Sequence, residues 1–168
     1  MKVAKRRRRE GKTDYLNRRK LLKSGKPRIV FRKTNRYVLA QYIVSKEAKD
    51  SIKIGVNSKD LIKYGWPKEN VGGLKSMSAS YLVGLLIAKK ITKEGLDQPI
   101  IDFGMLRTLH KSKLFAFLKG VIDGGVKIPC DEEAFPSEDR IKGAHLKNKI
   151  NFDEIKSKLN TESPEGNK

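Results

Sequence analysis

Alternating apolar and polar positions predict a small β-sheet, most of it in the first third of the chain. Residues 28–33 and 36–44 are rich in β-branched and aromatic side chains, and Thr34-Asn35 between them is typical of a turn, so the two segments predict a hairpin. Residues 50–56 predict a third antiparallel strand. Residues 98–103 predict a short fourth strand beside the others.

The same alternation assigns side chains to the two faces of the sheet. One face of the first strand carries Ile29 and Phe31, and the opposite face carries Arg28, Val30 and Arg32. In the third strand the alternation groups three apolar side chains, those of Ile52, Ile54 and Val56. A face that mixes basic and apolar side chains is typical of sheets that meet RNA and also of sheets that are partly solvated, so both interpretations stay open.

Apolar positions at helical spacing predict the remaining elements. Thr13 is the expected N-cap of a short helix over residues 14–24. Residues 74–93 predict a long helix that is apolar nearly all round at its centre and therefore buried, with Gly84 allowing close packing against a strand. Residues 112–124 predict a helix with one apolar face. The sequence thus predicts an α/β fold, with a mixed, mostly antiparallel small sheet and helices packed on one face.

Composition divides the chain into three parts. Residues 1–12 contain too few apolar side chains to offset their ordering entropy, so they predict a basic N-terminal arm that is disordered when free. Residues 13–130 hold the α/β domain. Hydrophobic density falls over residues 131–168, which predict a helical C-terminal extension: one helix up to Leu146, another over 151–159, and a frayed tail.

Charge is the most informative feature of the composition. The chain of 168 residues has 38 Lys and Arg against 19 Asp and Glu, a formal net charge of +19. Most of the excess lies in residues 1–36, whereas residues 131–168 are slightly acidic. Self-repulsion of this size opposes compaction, and a polyanion such as nucleic acid relieves it. For the adjacent Arg6, Arg7, Arg8 and Arg9, a solvated tail, a nuclear-import signal and an anionic membrane surface remain alternatives.

Several classes of protein are excluded by the same composition. A single cysteine rules out an intrachain disulfide and a cysteine-based zinc site, and the two histidines show no metal-ligand spacing. The longest apolar stretch is far shorter than the ~20 residues needed to cross a bilayer. The N-terminus lacks the apolar segment of a secretory signal. We therefore expect a cytoplasmic protein with no metal, no cofactor, no small-molecule substrate and no membrane partner.

The sequence assembles no nucleophile, base and orienting group, and so it predicts no enzyme. Asp102-Phe103-Gly104 matches the metal-binding tripeptide of kinases, but the rest of that signature is missing. Cys130 has only chance histidine partners. Two alternatives remain open: a metal-dependent nucleic-acid enzyme that uses Asp102 and Asp123, and a basic module that binds an acidic protein.

Three segments in the same order carry a family resemblance. They are YLNRRKLLKSGKPRIVFRKTNRYVLAQ at 15–41, FAFLKGVIDGGVKIP at 115–129 and EDRIKGAH at 138–145. The first resembles the start of the large-subunit ribosomal protein numbered eighteen, and the other two resemble its archaeal and eukaryotic branch. The resemblance implies binding to 5S rRNA and its attachment to 23S rRNA in the central protuberance. It also implies contacts with the fifth large-subunit ribosomal protein and other proteins of the central protuberance.

Carried onto this sequence, the family's RNA contacts fall on the arm, the first helix and the hairpin. The arm would neutralise the RNA backbone, the helix would hold phosphates, and the hairpin would add hydrogen bonds, including bonds to 2′-hydroxyls. The implied contact residues are Arg6, Arg7, Arg8, Arg9, Lys12, Arg18, Arg19, Lys20, Lys23, Arg28, Arg32, Lys33, Asn35, Arg36 and Gln41.

Overall fold

A computed structural model describes residues 3–146 and 150–161 and shows one mixed sheet with its two longest helices packed on one face. The α-helices are α1 (Arg6–Arg9), α2 (Tyr15–Lys23), α3 (Met77–Lys93), α4 (Lys113–Asp123), α5 (Glu138–Lys142) and α6 (Phe152–Thr161). The strands are β1 (Arg28–Lys33), β2 (Val38–Lys46), β3 (Lys49–Asn57) and β4 (Ile100–Asp102). Short 3₁₀ helices span Ser58–Tyr64, Lys68–Lys75 and Glu132–Ala134.

The sheet has the predicted four strands. Their order is β3-β2-β1-β4, in which β1, β2 and β3 are antiparallel and β4 runs parallel to β1. Strand β2 begins two residues later than predicted because the turn includes Arg36 and Tyr37. The Thr34 hydroxyl closes this turn by accepting the Tyr37 N–H and donating to the Tyr37 carbonyl, both at 2.9 Å.

A β-bulge in β3 overturns one predicted face. Tyr42 pairs with Ile54, but its neighbour Ile43 pairs with Ile52, so Lys53 is an extra residue in β3. The extra residue reverses the side-chain alternation beyond it. Ile54 is therefore buried in the core, whereas Ile52 is 54% exposed on the outer face of the sheet. The prediction that Ile52 lies with Ile54 and Val56 is wrong.

Helices α3 and α4 form the core layer on the inner face of the sheet. Helix α3 is buried along most of its length and packs against β2, β3 and α4, and Phe31 of β1 meets Phe117 of α4 at 4.6 Å between ring centroids. Gly84 permits a close approach as predicted, but to α4 and not to a strand. A Cβ at Gly84 would lie 2.2 Å from the Phe117 carbonyl oxygen, and one at Gly120 would lie 2.1 Å from that of Tyr81.

The C-terminal extension adds to this same core. Phe152 of α6 packs on Tyr81 of α3 with 5.5 Å between ring centroids, and Ile141 of α5 is buried beside them in the common cluster. Helix α5 is shorter than predicted because Gly143 ends it in the left-handed conformation, at φ 79°. The predicted tail falls almost wholly outside the described residues.

At the N-terminal end the structure is more regular than predicted. Asp14, not Thr13, caps α2, since its carboxylate accepts the N–H groups of Leu16 and Asn17. The arm contains one helical turn, α1, where we predicted no regular structure. That turn is tied locally, because Arg7 Nε donates to the Thr13 hydroxyl at 2.9 Å and the Lys5 ammonium lies 4.7 Å from the Tyr15 ring centroid.

A buried ionic network holds α2 against the outer face of the sheet. Arg28 of β1 is 2% exposed, and its guanidinium donates to Asp102 of β4 at 2.7 Å and to Asp50 of β3 at 2.8 Å. The second oxygen of Asp50 accepts from Arg18 of α2 at 2.8 Å. Ser45 donates to Asp50 at 2.7 Å. The network therefore joins all four strands of the sheet and helix α2.

The charge state of Asp50 follows from this network. Burial alone would raise the pKa of its carboxyl group, but hydrogen bonds from Arg18 and Ser45 and the charges of Arg28 and Arg18 outweigh burial. The pKa of Asp50 is consequently lowered from its usual 3.8, and the carboxylate stays ionised at neutral pH.

We predict that Gly84→Ala destabilises the fold by about 3 kcal/mol, the upper part of the range for overpacking, because the methyl group would meet the backbone of α4. The measurement is the free energy of unfolding in urea. Gly72→Ala is the matched control, since a Cβ at Gly72 meets nothing within 4 Å. Equal unfolding free energies for the two variants would contradict the tight contact between α3 and α4.

We predict that Asp102→Asn destabilises the protein by about 3 kcal/mol, because it leaves the buried Arg28 charge with one carboxylate instead of two. Arg18→Gln removes an ion pair that is partly exposed and should cost less than about 1 kcal/mol. Urea unfolding compares the two variants. If Asp102→Asn lowered the free energy of unfolding no more than Arg18→Gln does, the burial of the Arg28 guanidinium would not depend on its two carboxylate partners.

Candidate nucleic-acid interface

A groove of about 750 Å³ lies between the N-terminal segment and the outer face of the sheet. Strand β1 forms one side, α2 and the arm form another, and the loop after β4 forms the third. The lining residues are Arg7, Gly11, Lys12, Thr13, Asp14, Tyr15, Asn17, Arg18, Val30, Phe31, Arg32, Lys33, Asp50, Asp102, Phe103, Gly104, Met105 and Leu106. We call this feature the outer groove.

The acidic side chains of the outer groove are already engaged within the protein. Asp14 caps α2, Asp50 is paired with Arg18 and Arg28, and Asp102 is paired with Arg28 and accepts the N–H of Gly104 at 2.8 Å. The groove also carries Arg7, Lys12, Arg18, Arg32 and Lys33. Its uncompensated charge is therefore positive, which suits a polyanion.

Apolar side chains are interspersed with these cations. Phe103 packs edge-on against Phe31 at 6.2 Å between ring centroids, and Met105 is 56% exposed on the loop after β4. Sequence reasoning did not single out these two residues for binding. The available signal was the parallel pairing of β4 with β1, which brings the residues that follow β4 to the same end of the sheet as the end of β1.

Two of the predicted arm residues, Arg7 and Lys12, line the outer groove, and Arg6, Arg8 and Arg9 share the helical turn α1 with Arg7. Arg6, Arg7, Arg8, Arg9 and Lys12 are all exposed. Arg6 lies 3.4 Å and Lys12 lies 2.9 Å from Glu10 carboxylate oxygens. Pairs this exposed contribute little to stability, so their cations remain open to exchange for phosphate.

Helix α2 and the hairpin present most of the other predicted residues to solvent. Arg19, Lys20 and Lys23 of α2 are exposed, and Arg18 beside them is half-buried in its pair with Asp50. Arg32, Lys33, Asn35 and Arg36 are exposed along the end of β1 and its turn, and Gln41 is half-buried opposite Val30.

Arg28 is the exception among the predicted contact residues. Its side chain is 2% exposed and lies within the ionic network, so the structure gives it no surface on which to meet RNA. The prediction of Arg28 as a direct contact is corrected for this physical reason: two carboxylates at 2.7 and 2.8 Å hold the guanidinium below the surface.

The residues of the enzyme alternative do not form a catalytic centre. Asp102 is engaged with Arg28, whereas Asp123 at the end of α4 accepts a hydrogen bond from the Tyr81 hydroxyl at 2.7 Å. Burial and the charge of Asp131 raise the pKa of the Cys130 thiol, which disfavours the thiolate. Within residues 3–146 and 150–161 no group of three side chains is arranged to hold a metal ion.

In the described part of the chain no single helix is long and apolar enough to span a membrane. Within residues 3–146 and 150–161, one pair of consecutive helices, Lys68–Lys75 and Met77–Lys93, has the combined length and apolar composition of a span, but the pair is bent by 85°. Most of the second half is buried in the core.

Comparisons with known proteins agree with a ribosomal assignment. The family described as ribosomal large subunit proteins 60S L5 and 50S L18 matches residues 1–100. The large ribosomal subunit protein uL18 of Korarchaeum cryptofilum is 48% identical over 145 residues, which cover 86% of this chain and 72% of the relative. The uL18 proteins of Caldivirga maquilingensis and Methanoregula boonei are 47% and 44% identical, also over 86% of this chain, and the matches cover 69% and 80% of those relatives.

These sequence identities extend over most of the chain. The fold also has the predicted four-stranded mixed sheet and layer of helices. The relatives are structural proteins of the ribosome and not enzymes. The chain therefore belongs to the uL18 family and is a structural constituent of the large ribosomal subunit.

Proposed function

We propose that this protein binds 5S rRNA and helps to attach it to 23S rRNA in the central protuberance of the cytoplasmic ribosome. The observation that carries the proposal is the outer groove, in which the carboxylates are neutralised internally while the cations of the arm, α2 and β1 face outward. The family membership supplies the ribosomal setting. Fold alone would not identify the partner.

Binding of this kind rests mainly on the phosphate backbone. Arg32 and Lys33, which line the outer groove, would hold phosphates there. Arg19, Lys20 and Lys23 would hold them beside it, because they are exposed on α2, whose Asn17 and Arg18 line the groove. Arginine suits this role because its guanidinium pairs with phosphate through two parallel hydrogen bonds. The arm would then close over the bound strand.

Selectivity for RNA would come from groups beyond the charges. The side-chain amides of Asn35 and Gln41 would donate to and accept from 2′-hydroxyls, which distinguish RNA from DNA. Phe103 and Met105 would pack against unstacked bases or ribose. Arg28 contributes indirectly, because its network fixes the position of α2 relative to β1.

The remaining partners follow from the same proposal. Neighbours in the central protuberance would be 23S rRNA, the fifth large-subunit ribosomal protein and other proteins located there. The three-part organisation also stays a proposal: an arm at 1–12, an RNA-binding domain at 13–130 and an extension at 131–168. The packing of Phe152 on Tyr81 argues that the extension folds together with the domain.

We predict that Arg19→Gln/Lys20→Gln weakens binding to an archaeal 5S rRNA transcript. The slope of log affinity against log salt should become less negative by about 2, because each phosphate contact contributes about −1 to that slope. The wild-type slope should be about −4 to −5 if roughly six phosphates are contacted. The measurement is filter binding across about 50 to 200 mM salt.

Lys93→Gln/Lys127→Gln is the matched control, since it removes the same charge from two exposed side chains on segments that contribute nothing to the lining of the outer groove, unlike α2. It should leave the salt slope unchanged. A wild-type protein with no affinity for the transcript, or with an affinity independent of salt, would overturn the proposed function. Equal effects of the two double variants would show that net charge alone drives binding.

We predict that deletion of residues 1–12 lowers affinity for 5S rRNA at least tenfold at moderate salt while leaving the thermal melting temperature nearly unchanged. The deleted segment contains seven cations, of which Arg7 and Lys12 line the outer groove and Arg6, Arg8 and Arg9 are exposed in the same segment. A large fall in melting temperature would contradict the view that the arm is a binding segment and would assign it to the folded core.

A further inference from the structure

Three lysines converge where the first strand, the hairpin turn and the start of α4 meet. Lys33 ends β1, Lys75 ends the 3₁₀ helix before α3, and Lys113 is the first residue of α4. The Lys75 ammonium donates to the Asn35 carbonyl in the turn at 2.7 Å, which brings it to the hairpin. We call these three residues the lysine cluster.

The lysine cluster lacks compensating negative charge. None of the ion pairs in residues 3–146 and 150–161 includes any of its members. Burial, followed by the charges of Lys33 and Lys75, lowers the pKa of the Lys113 ammonium, and no carboxylate acts in the opposite direction. Three cations are thus held close together at a cost to the folded protein.

The start of α4 adds further positive potential at the same place. The helix has 11 residues, and its first turn contains no acidic side chain to offset the partial positive charge of the free N–H groups. Ser112 occupies the N-cap position, but its side chain makes no capping hydrogen bond. Its hydroxyl oxygen is buried and has no partner among the described residues. A hydroxyl donor, free amides and ammonium groups therefore adjoin one another.

This combination is unfavourable in the protein alone and favourable around an anion. A phosphate oxygen would accept from ammonium groups and from helix N–H groups, and its charge would relieve the repulsion within the lysine cluster. Lys33 also lines the outer groove, so the cluster continues the path of the groove beyond the end of β1. An extended polyanion lying in the groove would reach it with the same backbone.

We propose that the lysine cluster and the N-terminus of α4 bind a backbone phosphate of RNA, as a second anchor beyond the outer groove. This inference rests on the proposed function and adds Lys75, Lys113 and the first amide groups of α4 to the groups that contact RNA. It also accounts for the absence of a side-chain cap on α4, because the RNA phosphate would take the place of the cap.

The decisive variant is Lys75→Gln/Lys113→Gln. Its matched control is Lys93→Gln/Lys127→Gln, because Lys93 ends the helix that follows Lys75 and Lys127 lies just beyond the end of the helix that Lys113 begins. The 17 residues of α3 place the two ends of that helix about 25 Å apart at about 1.5 Å per residue. Both double variants remove the same charge from opposite ends of the same helices.

We expect Lys75→Gln/Lys113→Gln to weaken binding of an archaeal 5S rRNA transcript several-fold. The slope of log affinity against log salt should become less negative by about 1, the contribution of one phosphate contact. The control should match the wild type. The melting temperature of the single variant Lys113→Gln should stay equal or rise, since this substitution removes repulsion and leaves the hydrogen bond from Lys75 to Asn35 in place. A lower melting temperature would make the cluster a structural feature and overturn the proposal.

Amide chemical shifts of Lys113, Leu114 and Phe115 provide an independent readout. Adding the RNA transcript should shift all three in the wild type and leave them unmoved in the cluster variant. If inorganic phosphate alone shifts them while the RNA does not, the site binds free phosphate and the proposal fails. If the variant keeps full RNA affinity but loses binding to polyglutamate, the cluster serves an acidic protein and the proposal fails.

These results distinguish failure of the proposed 5S rRNA binding from failure of the lysine cluster as an anchor. A wild-type protein that does not bind the transcript refutes the proposed function itself. A wild-type protein that binds it, together with two double variants that bind equally well, refutes only the lysine cluster as an anchor.

Discussion

The buried guanidinium of Arg28 is the interaction on which the RNA-facing side of this protein depends. It joins β1 to Asp50 of β3 and to Asp102 of β4, and Asp50 in turn holds Arg18 of α2. A cation 2% exposed is stable only with such partners. Because the network spans strands and helix, it fixes the width of the outer groove while neutralising carboxylates that would otherwise repel phosphate.

The two faces of the sheet serve different purposes. The inner face supplies the hydrophobic core, in which Phe31 meets Phe117 and Gly84 lets α3 approach the backbone of α4. The outer face combines the network with exposed cations from α2, the arm and the end of β1. The hydrophobic core and the exposed basic side chains thus lie on opposite faces of one sheet, so basic side chains can be concentrated on the outer face without disturbing the core.

Local patterns were sufficient to predict most of the fold. Alternation and periodicity predicted the four strands and the helices α2, α3, α4 and α6, because each of those elements has its own signal. They failed where a distant contact decides. The bulge at Lys53 does not interrupt the alternation of apolar and polar residues in the sequence. The exposure of Ile52 could therefore not be predicted from that alternation. Arg28 was predicted to face RNA from the alternation of β1 and the family resemblance. Its burial was missed because its partner Asp102 lies 74 residues away in the sequence. The cations of α2 and the hairpin follow from sequence, whereas Phe103 and Met105 required the parallel pairing of β4.

The most direct test of the account is photochemical cross-linking of the full-length protein to 5S rRNA, followed by mass spectrometry of the linked peptides. If the outer groove binds the RNA, the cross-links should fall on peptides of the arm, α2, β1 and the loop after β4. Cross-links confined to α5 and α6, which pack against α3 and do not line the outer groove, would contradict the account.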